Sequence, residues 1–228
     1  MSGGLAVVIP TLDEAARIGA RLAELAAMPG VDEVVVADGG SGDGTAELAR
    51  AAGAHVVVAR RGRGPQMNAG AAAARGAVLL FLHADATLPP DAPAWVARAL
   101  ADPAVVAGAF RIRTVADVRH PLAPFLRLAD LRARLARLPY GDQALFVRRT
   151  AFDAVGGFPD QPLFEDVELA RRLRRRGRIV TVPATVRVSG RRFLAHPIRA
   201  AVAMRLFPLL YRLGVPAERL ARRYGNPR

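Results

Sequence analysis

The sequence predicts an α/β domain built on a mostly parallel β-sheet with helices on both faces. In the first hundred residues, short apolar segments alternate with segments of helical periodicity, a pattern typical of consecutive strand and helix units. The apolar segments are hydrophobic at nearly every residue, which indicates strands that are buried on both faces of the sheet. The chain has 228 residues, of which 52% are hydrophobic, and this is enough for one sizeable core.

The first half predicts four strands and three helices. The strands are expected at residues 5–9, 31–38, 54–59 and 77–83, and the helices at 13–28, 42–53 and 65–76. Pro10 is expected to end the first strand. Sheets of this kind bind ligands beyond the carboxyl ends of their strands, so the residues that follow each strand are candidates for a site.

The second half is less regular. It predicts helices at 95–102 and 122–138, a helix that begins near Glu165, and strands at 105–114, 143–149 and 179–183. One or two arginine-rich helices are expected after Arg191. We therefore predict one domain over residues 1–190 and a basic helical C-terminal extension, residues 191–228, packed on the same domain.

The composition excludes several classes of site. The chain has no cysteine, which excludes disulfides, thiolate metal sites and cysteine nucleophiles. The N-terminus lacks the features of a signal peptide, and no apolar stretch approaches the ~20 residues that cross a bilayer. The sequence therefore predicts a cytoplasmic protein, with peripheral contact to the inner membrane face left open.

The positive charge is concentrated in the second half. Residues 1–110 carry 8 arginines and 11 acidic residues, whereas residues 111–228 carry 25 arginines and 9 acidic residues, in a chain of net charge +13. Such a basic half indicates an anionic partner. Nucleic acid is not expected, because aromatic residues make up only 6% of the chain. Residues 196–223 mix apolar residues with arginines, which suits either a membrane surface or a solvated basic face.

The segment RRGRGPQMNAG, residues 60–70, combines glycines with arginines ahead of a predicted helix. Glycine allows a close approach of the backbone, Arg61 and Arg63 supply charge, and a helix N-terminus offers free N–H groups. The segment therefore favours a diphosphate site, the alternative being a flexible basic loop.

Two aspartates follow buried strands. Asp38 ends the second strand in ADGGSGDGT, where its carboxylate would suit a ribose hydroxyl or a base N–H, although turn chemistry accounts for the residues after it. Asp85, in FLHADATLP, follows the fourth strand together with His83. A cation such as Mg²⁺ often uses one or two protein carboxylates and completes its shell with phosphates and water. A simple turn is the alternative at Asp85.

Glu165 and Asp166 stand at the start of a predicted helix. Acidic residues in a first turn favour the helix dipole, and this alone would account for them. They also follow a glycine-containing loop in the basic half, where a carboxylate would be able to accept a proton from a hydroxyl nucleophile.

These motifs in this order resemble the family 2 glycosyltransferases, which have the GT-A nucleotide-sugar-binding fold. The resemblance covers roughly residues 5–183, and its matching segments are IPTLDEA (9–15), ADGGSGDGT (37–45), NAG (68–70), FLHADATLP (81–89) and VGGFPDQPLFEDVELARRLRRRG (155–177). Four segments, RGRGPQMNAG, LHADATLP, YGDQALF and SGRRF, are most similar to a bacterial subgroup described as radical-SAM- and selenodomain-associated, or arsenosugar-biosynthesis, transferases.

The resemblance implies roles for the matching positions. Asp85 would be the metal ligand, for Mn²⁺ or Mg²⁺, and Asp166, of the Glu165–Asp166 pair, would be the catalytic base of an inverting displacement. Asp38 would contact the base of the nucleotide. The positions expected to bind the donor are Pro10, Thr11, Glu14, Asp38, Arg61, Arg63, Asn68 and Ala84.

Three positions depart from the family pattern. Gly39 stands where a second aspartate is usual, His83 stands at the first acidic position of the metal motif, and Met67 replaces the arginine before Asn68. The aromatic acceptor motif of processive members is replaced by SGRRF. The three substitutions affect which nucleotide base is recognised and how the metal is bound. The loss of the aromatic acceptor motif means that synthesis of a sugar chain is not expected.

The resulting hypothesis is the metal-dependent, inverting transfer of a single sugar from a nucleoside diphosphate sugar to a small-molecule or lipid acceptor. One alternative is a nucleotidyltransferase that makes a nucleotide sugar. It is disfavoured because PTLDEA, instead of a glycine-rich loop with a basic residue, follows the first strand. The other alternative is a non-catalytic basic module at a membrane surface.

Overall fold

A computed structural model of the chain describes residues 3–117, 119–121, 123, 126, 130 and 141–224. The predicted helix at 122–138 lies almost entirely outside the described residues.

Eight strands form one sheet in the order β3-β2-β1-β4-β7-β6-β8-β5. Four of its seven neighbouring strand pairs are parallel, and β7 and β5 run antiparallel to their neighbours. The sheet is therefore mostly parallel, as predicted. The strands are β1 (Leu5–Thr11), β2 (Glu33–Asp38), β3 (His55–Val58), β4 (Val78–Phe81), β5 (Ala86–Thr87), β6 (Val105–Val115), β7 (Phe146–Arg148) and β8 (Arg178–Ser189).

Helices connect and cover these strands. The three predicted in the first half are present, and the third begins two residues earlier than expected, which places Arg63 in its first turn. The described helices are α1 (Ala15–Ala26), α2 (Thr45–Ala51), α3 (Arg63–Ala73), α4 (Ala92–Ala99), α5 (Arg149–Ala154), α6 (Glu165–Arg174), α7 (Arg191–Ala195), α8 (Pro197–Arg212) and α9 (Ala217–Tyr224).

Pro10 does not end β1, contrary to the prediction. The strand continues through Pro10 to Thr11, which pairs with Asp38 of β2. Leu82 donates to the carbonyl of Val8, so the backbone of Val8 faces β4, and Pro10, two residues on, faces the same way. The last residue of β4 pairs with Val8. The missing N–H of Pro10 therefore falls where no partner strand remains.

The strand predicted at 179–183 is longer than expected. β8 runs to Ser189 and pairs in parallel with β6 along most of its length. An irregularity in this pairing, where Val182 and Thr185 face consecutive residues of β6, absorbs Pro183. A proline inside a strand is tolerated at such a bulge because the ladder is already interrupted.

Alternate residues of the strands fill two cores, one on each face of the sheet. Val7 and Ile9 of β1 pack with α1, whereas Ala6 and Val8 point to the opposite face and pack with α3 and α6. This alternation explains why the strands are apolar at every position. Phe81 on the second face lies against two further rings, with centroid distances of 5.4 Å to Phe152 and 4.8 Å to Phe158.

Among the described residues, no helix combines the length and the hydropathy needed to span a bilayer.

Candidate active site

A small cleft opens at the carboxyl ends of β1 and β4. It contains six residues predicted from the sequence to bind donor or metal, and three that were not predicted. The predicted residues are Pro10, Thr11, Glu14, Arg63, Ala84 and Asp85, and the others are Leu12, Gln66 and His83.

The Asp38 carboxylate organises the loop beside this cleft. It is buried and accepts four hydrogen bonds: from the Thr11 and Ser41 hydroxyls and from the backbone N–H groups of Gly40 and Ser41. These bonds join the end of β1 to the loop after β2. The carboxylate therefore fixes the loop, and does not line the cleft itself.

A second set of bonds joins the two loops further out. Asp13 has a left-handed φ of 52° and accepts a hydrogen bond from the Gly42 N–H, while Asp43 accepts one from Ala15. The N–H of Glu14 donates to the hydroxyl of the buried Thr45. The backbone around Glu14 is thus held in place, which fixes the position of its side chain.

Gln66 joins the ends of β1 and β2 through its side chain, and the sequence did not predict this role. Its buried amide nitrogen donates to the carbonyls of Thr11, at 2.6 Å, and Ala37, at 2.9 Å, and its oxygen accepts from Gly62. The signal was present in the segment RGRGPQMNAG, where a glutamine stands among the small and apolar residues of a buried helix face. The partners are carbonyls at strand ends, which no local pattern reveals.

The two arginines predicted for the diphosphate lie in different surroundings. Arg61 is exposed and does not line the cleft, whereas Arg63 does. The Nε of Arg63 lies 3.7 Å from a carboxylate oxygen of the buried Glu165. Arg63 therefore connects the cleft with the Glu165–Asp166 pair.

Arg191 reaches the site from the C-terminal part of the chain and was also missed. Its Nη2 lies 2.8 Å from the Glu14 carboxylate and 3.9 Å from that of Asp85. Asp85 also acts on the buried Arg21: burial lowers the pKa of this guanidinium, and the charges of Glu24 and Asp85 act against that effect. Asp85 therefore interacts with the charges of two arginines.

Glu14 and Asp85 are the two carboxylates that line the cleft, and Arg191 contacts both of them. One oxygen of Glu14, Oε2, is buried and accepts no hydrogen bond from any described residue, and Nη1 of Arg17 lies 3.6 Å from it. Within the described ranges, no group of three or more His, Asp or Glu residues is arranged to hold a metal ion by itself. Such a pair suits an ion that is completed by phosphate oxygens and water.

Glu165 and Asp166 begin α6 but face different environments. Glu165 is buried, and desolvation raises its pKa to about 7, against the opposing effect of Arg63 and with a further rise from Asp166. Asp166 is only partly buried and accepts hydrogen bonds from the N–H groups of Gly141 and Val167. Of the two, Asp166 is the more accessible carboxylate.

His83 and Asp166 both lie beside Gly141. A Cβ atom placed on Gly141 would lie 3.4 Å from Nε2 of His83 and 3.2 Å from Oδ2 of Asp166. His83 itself lines the cleft. Both side chains therefore border the space that a side chain at residue 141 would fill, and residues far apart in sequence lie around one glycine.

Asn68 serves the loop before α6. Its amide nitrogen donates to the Phe158 carbonyl at 2.8 Å, and its oxygen accepts from the Phe158 N–H at 2.9 Å. This two-bond contact fixes α3 to the segment that carries Glu165 and Asp166. In the structure Asn68 therefore positions this segment.

Comparison with known proteins identifies the family. The model of the family described as glycosyl transferase family 2 matches residues 6–158, more than half of the chain. No curated protein sequence is similar enough to be identified as a relative.

Several solved structures share the fold. Glucosyl-3-phosphoglycerate synthase from Mycobacterium tuberculosis, in complex with Mn²⁺, UDP and phosphoglyceric acid, is 24% identical with a TM-score of 0.65, covering 94% of this chain and 80% of its own. The same enzyme in complex with Mg²⁺ and UDP is 22% identical with a TM-score of 0.64, covering 94% of this chain and 81% of its own. The mannosyltransferase PcManGT from Pyrobaculum calidifontis, in complex with GDP-Man and Mn²⁺, is 24% identical with a TM-score of 0.67, covering 98% of this chain and 70% of its own. The likeness confirms the expected GT-A fold.

Proposed function

The chain belongs to glycosyl transferase family 2, and from that premise we propose that it transfers a single sugar, with inversion, from a nucleoside diphosphate sugar to a small-molecule or lipid acceptor. The observation that carries the proposal is the cleft itself. It brings Asp85, Glu14 and Arg63 together, and Arg63 connects it to the Glu165–Asp166 pair.

The nucleotide part of the donor is proposed to bind along Pro10, Thr11 and Glu14. Asp38 takes part by holding the Thr11 hydroxyl and the loop at Gly40 and Ser41 in place. A loop fixed by this many hydrogen bonds presents its backbone groups in one arrangement, which favours the recognition of a flat base or a ribose.

The diphosphate is proposed to lie between Arg63 and Asp85, with Ala84 beside it. Asp85 and Glu14 would hold Mn²⁺ or Mg²⁺, which would supply positive charge for the leaving diphosphate. The metal ions and nucleotides named for the structural neighbours support this choice. Arg63 and Arg191 contribute fixed positive charge at the same place, where charge on the leaving group develops. Arg61, which is exposed, is proposed to attract the donor from solution.

Asp166 is proposed as the base that takes the proton of the acceptor hydroxyl while that oxygen attacks the anomeric carbon. Its carboxylate is the more accessible of the pair and lies beside Gly141, as does His83 of the cleft, which supports this role. Glu165 is proposed as a positioning residue, because its buried carboxylate meets Arg63. Asn68 fixes the loop that precedes both acidic residues.

We also propose the finer assignments made from the sequence. The radical-SAM- and selenodomain-associated subgroup is supported by the segments RGRGPQMNAG and SGRRF, which contribute Gln66 and Arg191 to the site. Residues 1–190 are proposed as the transferase domain and 191–228 as an extension on it.

The donor experiment is a thermal-shift panel of nucleoside diphosphates and their sugars with and without Mn²⁺ or Mg²⁺. A ligand that binds only the folded state raises the melting temperature by mass action. We expect one nucleotide to raise it further when the metal is present, and Asp85→Asn to abolish this additional rise. Asp153→Asn, an exposed aspartate on α5, should behave as the wild type. A panel in which no nucleotide acts, or in which Asp85→Asn responds normally, would contradict the proposal.

Once the donor is known, turnover tests the base. Asp166→Asn should lower kcat by about 10²–10⁴, as expected for a positioned acid–base group, with little change in donor affinity. Glu168→Gln, on the same helix but paired with Arg171 and Arg172, is the matched control. Near-normal turnover of Asp166→Asn would assign the base elsewhere.

A further inference from the structure

Helix α8 carries a stripe of exposed apolar side chains. Val202 is 50% exposed, Leu206 43%, Leu209 53% and Leu213, at its C-terminal end, 72%. The spacing of four, three and four residues places all four side chains on one line along the helix. We call this line the α8 stripe.

The α8 stripe is not needed to attach the helix to the protein. The other side of α8 makes that attachment, through Phe207, Leu210 and Tyr211, which pack with Leu163 and Leu220. Tyr211 also stacks on Phe164, with ring centroids 4.6 Å apart. The helix therefore has two apolar faces, and one of them is turned to solvent. Elsewhere in the described part of the chain, large exposed apolar side chains occur singly, at Leu48 and Val58.

Positive charge borders the stripe. Arg205 and Arg212 are exposed on α8, and Arg219, Arg222 and Arg223 are exposed on the neighbouring α9. Residues 191–228 contain nine arginines and a single acidic residue, Glu218. A surface of this kind is complementary to an apolar layer covered by negative charge.

We propose that the α8 stripe docks the protein on the surface of a bilayer that contains anionic lipids, with α8 lying in the plane of the interface. Leucines would enter the boundary of the acyl chains while the flanking arginines meet lipid phosphates, as in other interfacial helices. The proposal goes beyond sugar transfer and does not depend on it.

Two other partners fit the surface less well. A second copy of the chain would bring Arg205 and Arg212 of two like-charged surfaces together, and such a contact is unfavourable. Single-stranded nucleic acid is bound through aromatic stacking platforms, and the stripe has no aromatic side chain.

The test is flotation of the full-length protein, without donor, with vesicles of phosphatidylcholine alone or with 30% phosphatidylglycerol. Binding is expected only to the anionic vesicles, and it should weaken as salt is raised from 0.1 to 0.5 M. Leu206→Ser/Leu209→Ser should lower the partition coefficient by about tenfold or more. The matched control Leu48→Ser/Val58→Ser removes two exposed apolar side chains elsewhere and should bind as the wild type.

Two double variants that remove arginines test the contribution of positive charge. Arg205→Gln/Arg212→Gln should weaken binding to anionic vesicles several-fold, whereas Arg50→Gln/Arg75→Gln, with the same loss of charge away from α8, should not. All eight side chains that these four double variants replace are exposed, so the circular dichroism spectrum and the melting temperature of each variant should match those of the wild type. Equal binding to neutral vesicles, or no effect of the serine pair, would overturn the proposal. So would a dimer in light scattering that the serine pair abolishes, because a second copy would then cover the stripe.

Discussion

At the scale of single residues, Glu165 and Asp166 divide two roles between neighbouring positions. Successive residues of a helix point about 100° apart, so one carboxylate can be buried while the next is accessible. Glu165 points inward to Arg63 and the N-terminal turn of α3, and Asp166 accepts a hydrogen bond from the N–H of Gly141. The burial of Glu165 has a consequence for the stability of the whole protein.

Stability is expected to depend on pH through Glu165. Its pKa is about 7 in the folded state, against an ordinary value of 4.5. Between these values the unfolded chain loses the proton while the folded protein keeps it, so the free energy of unfolding falls as pH rises. Urea unfolding at pH 4 and at pH 8 measures this effect. Between the two pH values the free energy of unfolding should fall by about 3 kcal/mol more in the wild type than in Glu165→Gln.

Glu168→Gln, on the same helix, should keep the wild-type pH dependence. If the pH dependence of Glu165→Gln equals that of the wild type, Glu165 is already ionised in the folded protein near neutral pH.

Arg191 is expected to stabilise the site through Glu14. Arg191→Gln removes the guanidinium 2.8 Å from a buried carboxylate, and we expect a loss of about 1–3 kcal/mol in the free energy of unfolding. Arg191→Lys should recover part of it. Arg187→Gln, an exposed arginine on β8, should stay within about 0.5 kcal/mol of the wild type. Equal stabilities of Arg191→Gln and Arg187→Gln would show that Glu14 does not depend on this contact.

At the scale of elements, the close approach of α3 to the loop before α6 shapes the site. A Cβ on Gly64 would lie 2.8 Å from the Pro159 carbonyl oxygen and 3.8 Å from Cβ of Glu165. The early start of α3, at Arg63, is what brings this glycine against the loop. Asn68, about one turn further on, holds the same loop through the Phe158 backbone.

Two glycine substitutions should have opposite effects on stability. Gly64→Ala forces its methyl group against backbone, and we expect a cost of about 1–3 kcal/mol. Gly19→Ala lies on the exposed face of α1 with nothing within 4 Å of the added Cβ, and it should stabilise by up to about 1 kcal/mol. Melting temperatures of the two variants measure the difference. A Gly64→Ala protein as stable as the wild type would mean that the loop at Pro159 yields without cost.

At the scale of the whole molecule, the C-terminal helices are connected to the proposed catalytic loop through Tyr211. Its ring stacks on Phe164, the residue before Glu165, which has a left-handed φ of 62°. The guanidinium of Arg171 lies 5.5 Å from the same ring, and its hydroxyl accepts a hydrogen bond from Gln161. A strained residue persists where its surroundings fix it, and Tyr211 is part of those surroundings.

Tyr211→Ala should therefore lower both stability and turnover. We expect a loss of about 1–3 kcal/mol in the free energy of unfolding and a lower kcat, because Asp166 would be held less firmly. Tyr211→Phe keeps the ring and loses only the hydrogen bond, so it should retain most of both. If Tyr211→Ala lowers stability but leaves kcat unchanged, the C-terminal helices support the fold without positioning the base.

The alternation of strands and helices could be predicted because each element carries its own periodicity. The ends of the buried strands could also be predicted, because the apolar run stops there. Asp38 and Asp85 were therefore placed at the correct edge of the sheet. The continuation of β1 through Pro10 and of β8 through Pro183 could not be predicted. Each depends on whether a partner strand needs the missing N–H, and that is a property of the neighbour.

The sequence by itself therefore determined the α/β fold, the family resemblance and six residues of the cleft, because these follow from local pattern and from motifs short enough to read along the chain. Only the tertiary structure decided that Gln66 joins two strand ends, that Arg191 stands between Glu14 and Asp85, and that His83 and Asp166 both lie beside Gly141. Arg191 is separated from Glu14 by 177 residues. Contacts over such distances are set by the packing of the sheet and its helices, and no periodicity along the chain records them.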